Sequence, residues 1–394
     1  MADTDVLVVG ASAAGLGVVE SLRRGGYAGR ITVLGAEVHV PYDRPPLSKQ
    51  VLSGQWEPEQ AHLRPQDLLD ALDAEFILGE PATALDVGTR TVSTATRTLT
   101  ADQIVIATGS TARPLPGQPE LTGLHTFRTL DDALALRADL LAARRLVVVG
   151  EGVLGCEIAA TATGLGLEVT MTGPQQLPMG LQLGTFVGGL LGRLHQEAGV
   201  RLRLGEGVSG FTEVGGKVSG VSLVGGDTLP ADVVVVAVGA RPATDWLADS
   251  GLELSDGVVC DEFCRAAPGI YAVGDVARWS HAGLGRSLRL ENRTNAVEQS
   301  AAVAEAILGA PVRYAPVPYF WTDQLGAKIQ VHGSISAEAQ ATVVDGDVED
   351  RRFVVRYQVG DDVTAVLGWN MPKQSRLRRQ EITTSALTEG ATVA

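Results

Sequence analysis

The sequence predicts an α/β protein with two doubly wound units and a small α+β domain at its C-terminal end. Three observations carry this. The first is an internal repeat: Val6–Gly15 reads VLVVGASAAG and Leu146–Gly155 reads LVVVGEGVLG. Each is a β-branched run, then a glycine-rich turn, then a helical pattern, which is how a βαβ unit opens. The second is a set of buried-strand runs that end at a glycine: Gln103–Ser110, Val233–Ala240 and Gly269–Asp275. The third is a change of style after about Pro316. There, Ala327–Val331, Ala341–Val344, Arg352–Tyr357 and Val363–Leu367 are separated by Gly and Asp, as in a small antiparallel sheet.

Taken in order, the first turn leads into a helix ending near Arg23-Arg24-Gly25-Gly26 and a strand at Ile31–Leu34. The second leads into a helix through about Leu165 and a strand at Glu168–Met171. Arg113-Pro114 and Arg241-Pro242 mark crossovers between domains. The expected layout is 1–112 with 241–315, then 113–240, then 316–394. A helix is expected from about Ser375, and the tail from Thr383 reads as frayed. A length of 394 residues suits two or three domains.

Composition narrows the function. Apolar residues are 45% and charged residues 20%, so the chain is globular. Glycine is 47 of 394, about 12% against roughly 7% on average, which points to many tight turns. The net charge of −14 repels phosphate backbones and anionic lipid, so neither nucleic acid nor membrane is an expected partner. The opening MADTDVLVVG has no signal-peptide pattern, and the longest apolar runs are too short to span a bilayer. Three cysteines (156, 260, 264) do not make a disulfide framework, and a cytoplasmic location is expected. The six histidines are scattered without metal-ligand spacing, so no metal site is expected.

Gly10-Ala11-Ser12-Ala13-Ala14-Gly15 fits G-x-G-x-x-G with Ser12 at the middle glycine. The first glycine makes the tight turn, a small middle residue admits a pyrophosphate, and the third lets helix pack on strand. The helix N-terminus then offers unpaired N–H groups and a positive dipole end. Glu37 lies where an acidic ribose ligand is expected. Gly150-Glu151-Gly152-Val153-Leu154-Gly155 has all three glycines. The fold class is therefore two Rossmann-like dinucleotide-binding domains plus an α+β C-terminal domain. At the end of the strand after the second turn, an acid would mark NADH and an arginine NADPH. The chain has Thr172-Gly173-Pro174, so the choice stays open.

Further motifs then resemble one family. Pro41-Tyr42-Asp43-Arg44-Pro45-Pro46-Leu47-Ser48-Lys49, Ala107-Thr108-Gly109, Gly274-Asp275, Asn295-Ala296-Val297-Glu298-Gln299 and Phe320-Trp321-Thr322-Asp323-Gln324 resemble the FAD-dependent NAD(P)H:ferredoxin reductases. This is the putidaredoxin-reductase-like group, related to apoptosis-inducing factor. The resemblance implies an FAD domain split by an inserted NAD(P)H domain. It implies that Asp275 meets the ribityl chain, with Val276 near the phosphates. It implies that Arg44 and Lys49 act as catalytic cations beside the flavin, with Trp321 near its polar edge. It also carries Ala82, Thr108, Gly109, Arg113, Gly239, Gly274, Glu291 and Arg293 into the cofactor-binding set. One departure concerns this set: Asn292-Arg293 follows Glu291 where the family has a His-Trp-like pair.

Related disulfide reductases carry a redox Cys pair in the stretch equivalent to Pro41–Leu52, which has none here. Electrons therefore leave for an outside carrier. Cys260 and Cys264 read as structural, and Cys156 as a small packing residue. The resemblance implies an iron–sulfur ferredoxin as acceptor, feeding a haem monooxygenase or other oxygenase, with the reductase a monomer or homodimer. Against the overall charge, docking is expected to need a local basic patch, with Arg286, Arg289 and Arg293, together with Arg376, Arg378 and Arg379, as candidates. An NADH oxidase or quinone reductase, and a redox-sensing protein like apoptosis-inducing factor, are the alternatives.

Overall fold

A computed structural model describes residues 5–382 of the chain, so the tail from Thr383 lies outside the described residues. The chain divides into two compact units. One is Met1–Asp43, His62–Thr111 and Arg241–Val317; the other is Arg44–Ala61, Ala112–Ala240 and Pro318–Ala394. The short stretch Arg44–Ala61 thus belongs with the inserted segment, and so does the C-terminal sheet.

The first unit is built on a six-stranded sheet. Its order is Arg265–Ala267, Ile270–Ala272, Gln103–Ile106, Val6–Val9, Ile31–Leu34, Glu75–Ile77. All neighbours are parallel except the first pair. Val6–Val9 lies inside this sheet and is buried at every residue, which is why it reads as an unbroken apolar run. Helix Ala13–Arg24 follows it and buries Leu16, Val18, Val19 and Leu22. Arg23 closes the helix from outside, its guanidinium donating to the carbonyls of Leu72 (2.7 Å) and Gly29 (2.9 Å).

The second unit holds a five-stranded parallel sheet, ordered Arg201–Leu204, Glu168–Gly173, Arg145–Val149, Val233–Val236, Leu124–Thr126. The strand expected to end at Met171 runs on to Gly173, because Thr172 pairs with Val149 and Gly173 with Leu204. An antiparallel meander, Val208–Val214, Lys217–Leu223 and Thr228–Pro230, packs Val218, Val221 and Leu229 against Val147, Val149 and Val234. The C-terminal portion is a five-stranded antiparallel sheet, ordered Tyr319–Gln324, Ala327–Gly333, Asp362–Trp369, Arg352–Val359, Gln340–Asp347. Its helix starts at Pro372 rather than Ser375, since proline is well suited to a first helical position. Among the described residues no helix is long and apolar enough to cross a membrane.

His332 in this sheet stacks on Tyr319, ring centroids 4.8 Å apart. Burial, with Arg379 and Arg376 nearby, lowers its pKa from 6.5 to about 4. The imidazole is thus neutral when folded and charged when unfolded between those values. Its contribution to stability is full above pH 6.5 and is lost as pH falls toward 4. At about 1.4 kcal/mol per pH unit, the loss is up to about 3 kcal/mol. We expect His332→Gln to flatten the fall in urea midpoint between pH 7.5 and pH 5 relative to the parent chain. An unchanged slope would remove His332 from the acid response.

Candidate dinucleotide and redox sites

The two glycine turns have the same local geometry. Gly10 has φ +124° and Gly150 φ +121°, a conformation that side chains rarely adopt. A Cβ on Gly15 would stand 1.9 Å from the Gly10 carbonyl oxygen, and one on Gly155 would stand 2.0 Å from that of Gly150. A side chain at either place would push the helix off the preceding strand. Gly152, in the middle of the second turn, faces open space on the side where a Cβ would point. Ser12 and Gly152 begin their helices without a side-chain cap, whereas Thr129 caps Leu130–Ala142 and Asn292 caps Arg293–Ile307. The amides of Ala13 and Ala14, and of Val153 and Leu154, are left for an anionic ligand. The uncapped turns fit a dinucleotide pyrophosphate in each unit.

In the first unit, other motif residues gather at the first turn. The missing side chain of Gly274 would lie 3.0 Å from Ala14 Cβ. The Gly274 N–H donates to Gln299 Oε1 at 2.7 Å, and Ser300 Oγ donates to the Ala14 carbonyl at 2.7 Å. Asn295 Nδ2 reaches Leu290 O at 3.2 Å. Gln299 and Ser300 thus hold Gly274 against the turn. Asp275 accepts from Ser110 Oγ at 3.1 Å. Glu37 accepts from the Tyr42 hydroxyl near the end of the second strand. Thr108 Oγ1 donates to Ala243 O at 2.9 Å, and Gly109 O accepts from Ala243 N at 2.9 Å. Ala82 instead pairs with Thr94 in a separate three-stranded sheet.

Arg293 donates from Nε to Asp43 Oδ1 at 2.7 Å, so this cation is paired with the acid of the Pro41–Lys49 motif. Arg289 pairs with Glu291 and Asp256, and Arg378 with Asp345 and Glu381. These three arginines therefore present less charge than the sequence suggests. Arg376 and Arg379 have no acidic partner among the described residues.

In the second unit, Arg113 N donates to Gly239 O at 3.0 Å. Arg44 and Lys49 part ways. Arg44 Nη1 donates to the Arg128 carbonyl at 2.7 Å. Lys49, in the π-helical turn Leu47–Val51, sits 5.6 Å over the Trp321 ring and donates to Glu157 Oε2 at 2.7 Å. Glu157 also accepts from Ser48 Oγ (2.6 Å) and Thr322 Oγ1 (2.7 Å). Gln324 Nε2 then meets Thr322 Oγ1 at 3.1 Å, and His195 Nε2 meets Gln324 Oε1 at 2.7 Å. Burial pushes the His195 pKa down, so this end of the chain is neutral. Glu157 escaped sequence reasoning, although an acid on an otherwise apolar helix, V-L-G-C-E-I-A-A, was a usable signal.

Cys156, Cys260 and Cys264 are all free and buried. Burial raises each thiol pKa, that of Cys264 to about 12, and Cys264 Sγ accepts from Gln299 Nε2 at 3.2 Å. None is an activated thiolate.

Residues 4–300 match the family model described as pyridine nucleotide-disulphide oxidoreductase, and residues 319–394 match that described as reductase C-terminal. The chain is 34% identical to rhodocoxin reductase of Rhodococcus erythropolis over 383 residues, covering 96% of this chain and 89% of that protein. It is 41% identical over 340 residues to the benzene 1,2-dioxygenase system ferredoxin–NAD(+) reductase subunit of Pseudomonas putida, covering 85% and 82%. Its fold matches the crystal structure of the covalent putidaredoxin reductase–putidaredoxin complex with TM-score 0.92 and 33% identity, covering 96% and 93%.

Proposed function

The chain belongs to the pyridine nucleotide-disulphide oxidoreductase family, and on that footing we propose that it is the ferredoxin reductase of an oxygenase system. It takes electrons from a reduced nicotinamide and delivers them singly to an iron–sulfur ferredoxin. The observation that carries this is two phosphate-binding turns in a chain without a reactive dithiol. When bound, flavin supplies the conversion of a two-electron hydride into one-electron transfers.

The chain's own residues do the rest. The Ala13 and Ala14 amides hold the FAD pyrophosphate, with Gly10, Ser12 and Gly15 letting it approach. Glu37 and Asp275 accept ribose and ribityl hydroxyls, and Val276, Thr108 and Gly109 line the same turn. Gly150, Gly152, Val153, Leu154 and Gly155 hold the nicotinamide dinucleotide. Lys49 is the catalytic cation, its ammonium fixed by Glu157 and Trp321. Arg44 holds the adjoining loop through the Arg128 carbonyl. Residues 1–112 with 241–315 form the FAD domain, less the stretch Arg44–Ala61, which groups with the NAD(P)H domain (113–240) and the C-terminal domain (316–394). The free thiols suit the cytoplasm, where the protein works.

The test is anaerobic reduction of the purified protein with NADH and NADPH in parallel, followed at flavin wavelengths, then turnover with added ferredoxins. The expected result is rapid bleaching and at least about ten-fold faster electron delivery with a cognate ferredoxin than to oxygen or quinone, a 1.4 kcal/mol preference. Faster delivery to oxygen than to every ferredoxin would replace this reading with an oxidase.

A further inference from the structure

The strand Glu168–Gly173 ends without the acid or arginine that would read the adenosine ribose. The place is not vacant. A Cβ on Gly173 would fall 1.6 Å from Glu151 Oε2 and 2.7 Å from Glu151 Cδ. The carboxylate of Glu151, the residue between the first two glycines of the second turn, therefore occupies the position where a Gly173 side chain would begin. Gln175 N donates to its Oε1 at 3.2 Å, and its own carbonyl accepts from Met179 N at 2.8 Å. The residue is only 8% exposed. It has no ion-pair partner among the described residues, and burial pushes its carboxyl pKa up. An ionised carboxylate accepts about four hydrogen bonds, and the backbone N–H groups of Gln175 and of Glu151 itself use only part of that capacity.

We infer that Glu151 is the ribose-diol receptor of the second site: a residue of the glycine turn takes over the task of the missing strand-end acid. It accepts from the 2′- and 3′-hydroxyls and repels a 2′-phosphate, so the chain selects NADH over NADPH. The inference rests on the second turn being the nicotinamide dinucleotide site. Gly173 is part of the device, because any side chain there would evict the carboxylate.

The test is equilibrium binding of NAD⁺ and NADP⁺ to the oxidised flavin-loaded protein by titration calorimetry, which needs no turnover. The parent chain is expected to favour NAD⁺ at least about ten-fold. Glu151→Gln and Glu151→Ala are expected to lower that ratio by about 10- to 100-fold, the range of a hydrogen bond to a charged group. Gly173 has no positive φ, so its backbone accepts a side chain once the space is cleared. Glu151→Ala with Gly173→Glu should therefore restore the preference for NAD⁺, which a merely structural Glu151 would not allow. An unchanged ratio in both single variants overturns the inference and leaves the site assignment standing. Failure of the parent chain to bind either nucleotide overturns both.

Discussion

Gly15→Ala is expected to give a protein that purifies without yellow colour, while Gly155→Ala keeps its colour but is no longer bleached by NADH. Each substitution adds one carbon, at 1.9 Å from the Gly10 carbonyl oxygen in the first case and 2.0 Å from that of Gly150 in the second. The neighbour is backbone, so it cannot rotate away. The helix must lift from its strand, carrying its N-terminal amides out of register with the pyrophosphate. Overpacking of this kind costs about 1–3 kcal/mol. At the upper end, dinucleotide affinity falls about 100-fold or more. Flavin content by absorbance and nucleotide binding by calorimetry separate the two effects, with circular dichroism as the check on folding. Equal flavin loss in both variants would mean that the turns do not serve different ligands.

Lys49→Met is expected to destabilise the protein by about 3–5 kcal/mol, the usual cost of removing one member of a buried ion pair. The side chains of Lys49 and Glu157 are 14% and 7% exposed, so water compensates little. Ser48 and Thr322 would still donate to Glu157, but no cation would face it. Lys49→Met with Glu157→Gln should recover most of the stability, since both charges leave together. Turnover should stay low in the double variant if the ammonium matters to electron transfer. Full turnover there would make Lys49 structural. Thermal midpoints and ferredoxin reduction rates, measured on the same three proteins, answer both questions.

The parts legible in sequence were those written as local patterns. Both turns, the strands beside them and the antiparallel character of the C-terminal sheet follow from glycine spacing, β-branched runs and alternation. The roles of side chains that meet across long sequence distances were not legible. Glu157 finds Lys49 from 108 residues away, and nothing near it in the chain names its partner. Glu151 stood in the second turn with no role of its own, and Thr172-Gly173-Pro174 offered neither acid nor base. Only their proximity makes the two one feature. Arg293 read as a cation taking an aromatic's place, yet it is bound to Asp43 from 250 residues away. Cys264 read as a structural loop residue, and its contact with Gln299 supplies the reason.

The interruption of one unit by the other sets an order for assembly during synthesis. The five strands of the inner parallel sheet all lie between residues 124 and 236, in one continuous stretch of chain. The six-stranded sheet begins at Val6 but lacks Ile270–Ala272, the outer neighbour of Gln103–Ile106, until some 160 residues after that strand has left the ribosome. Lys49 likewise waits for Trp321, and Glu157 for Thr322. The sheet of the inserted stretch can close early, while the strands that precede it in the chain stay open-edged, the state in which nascent chains are most exposed to mispairing.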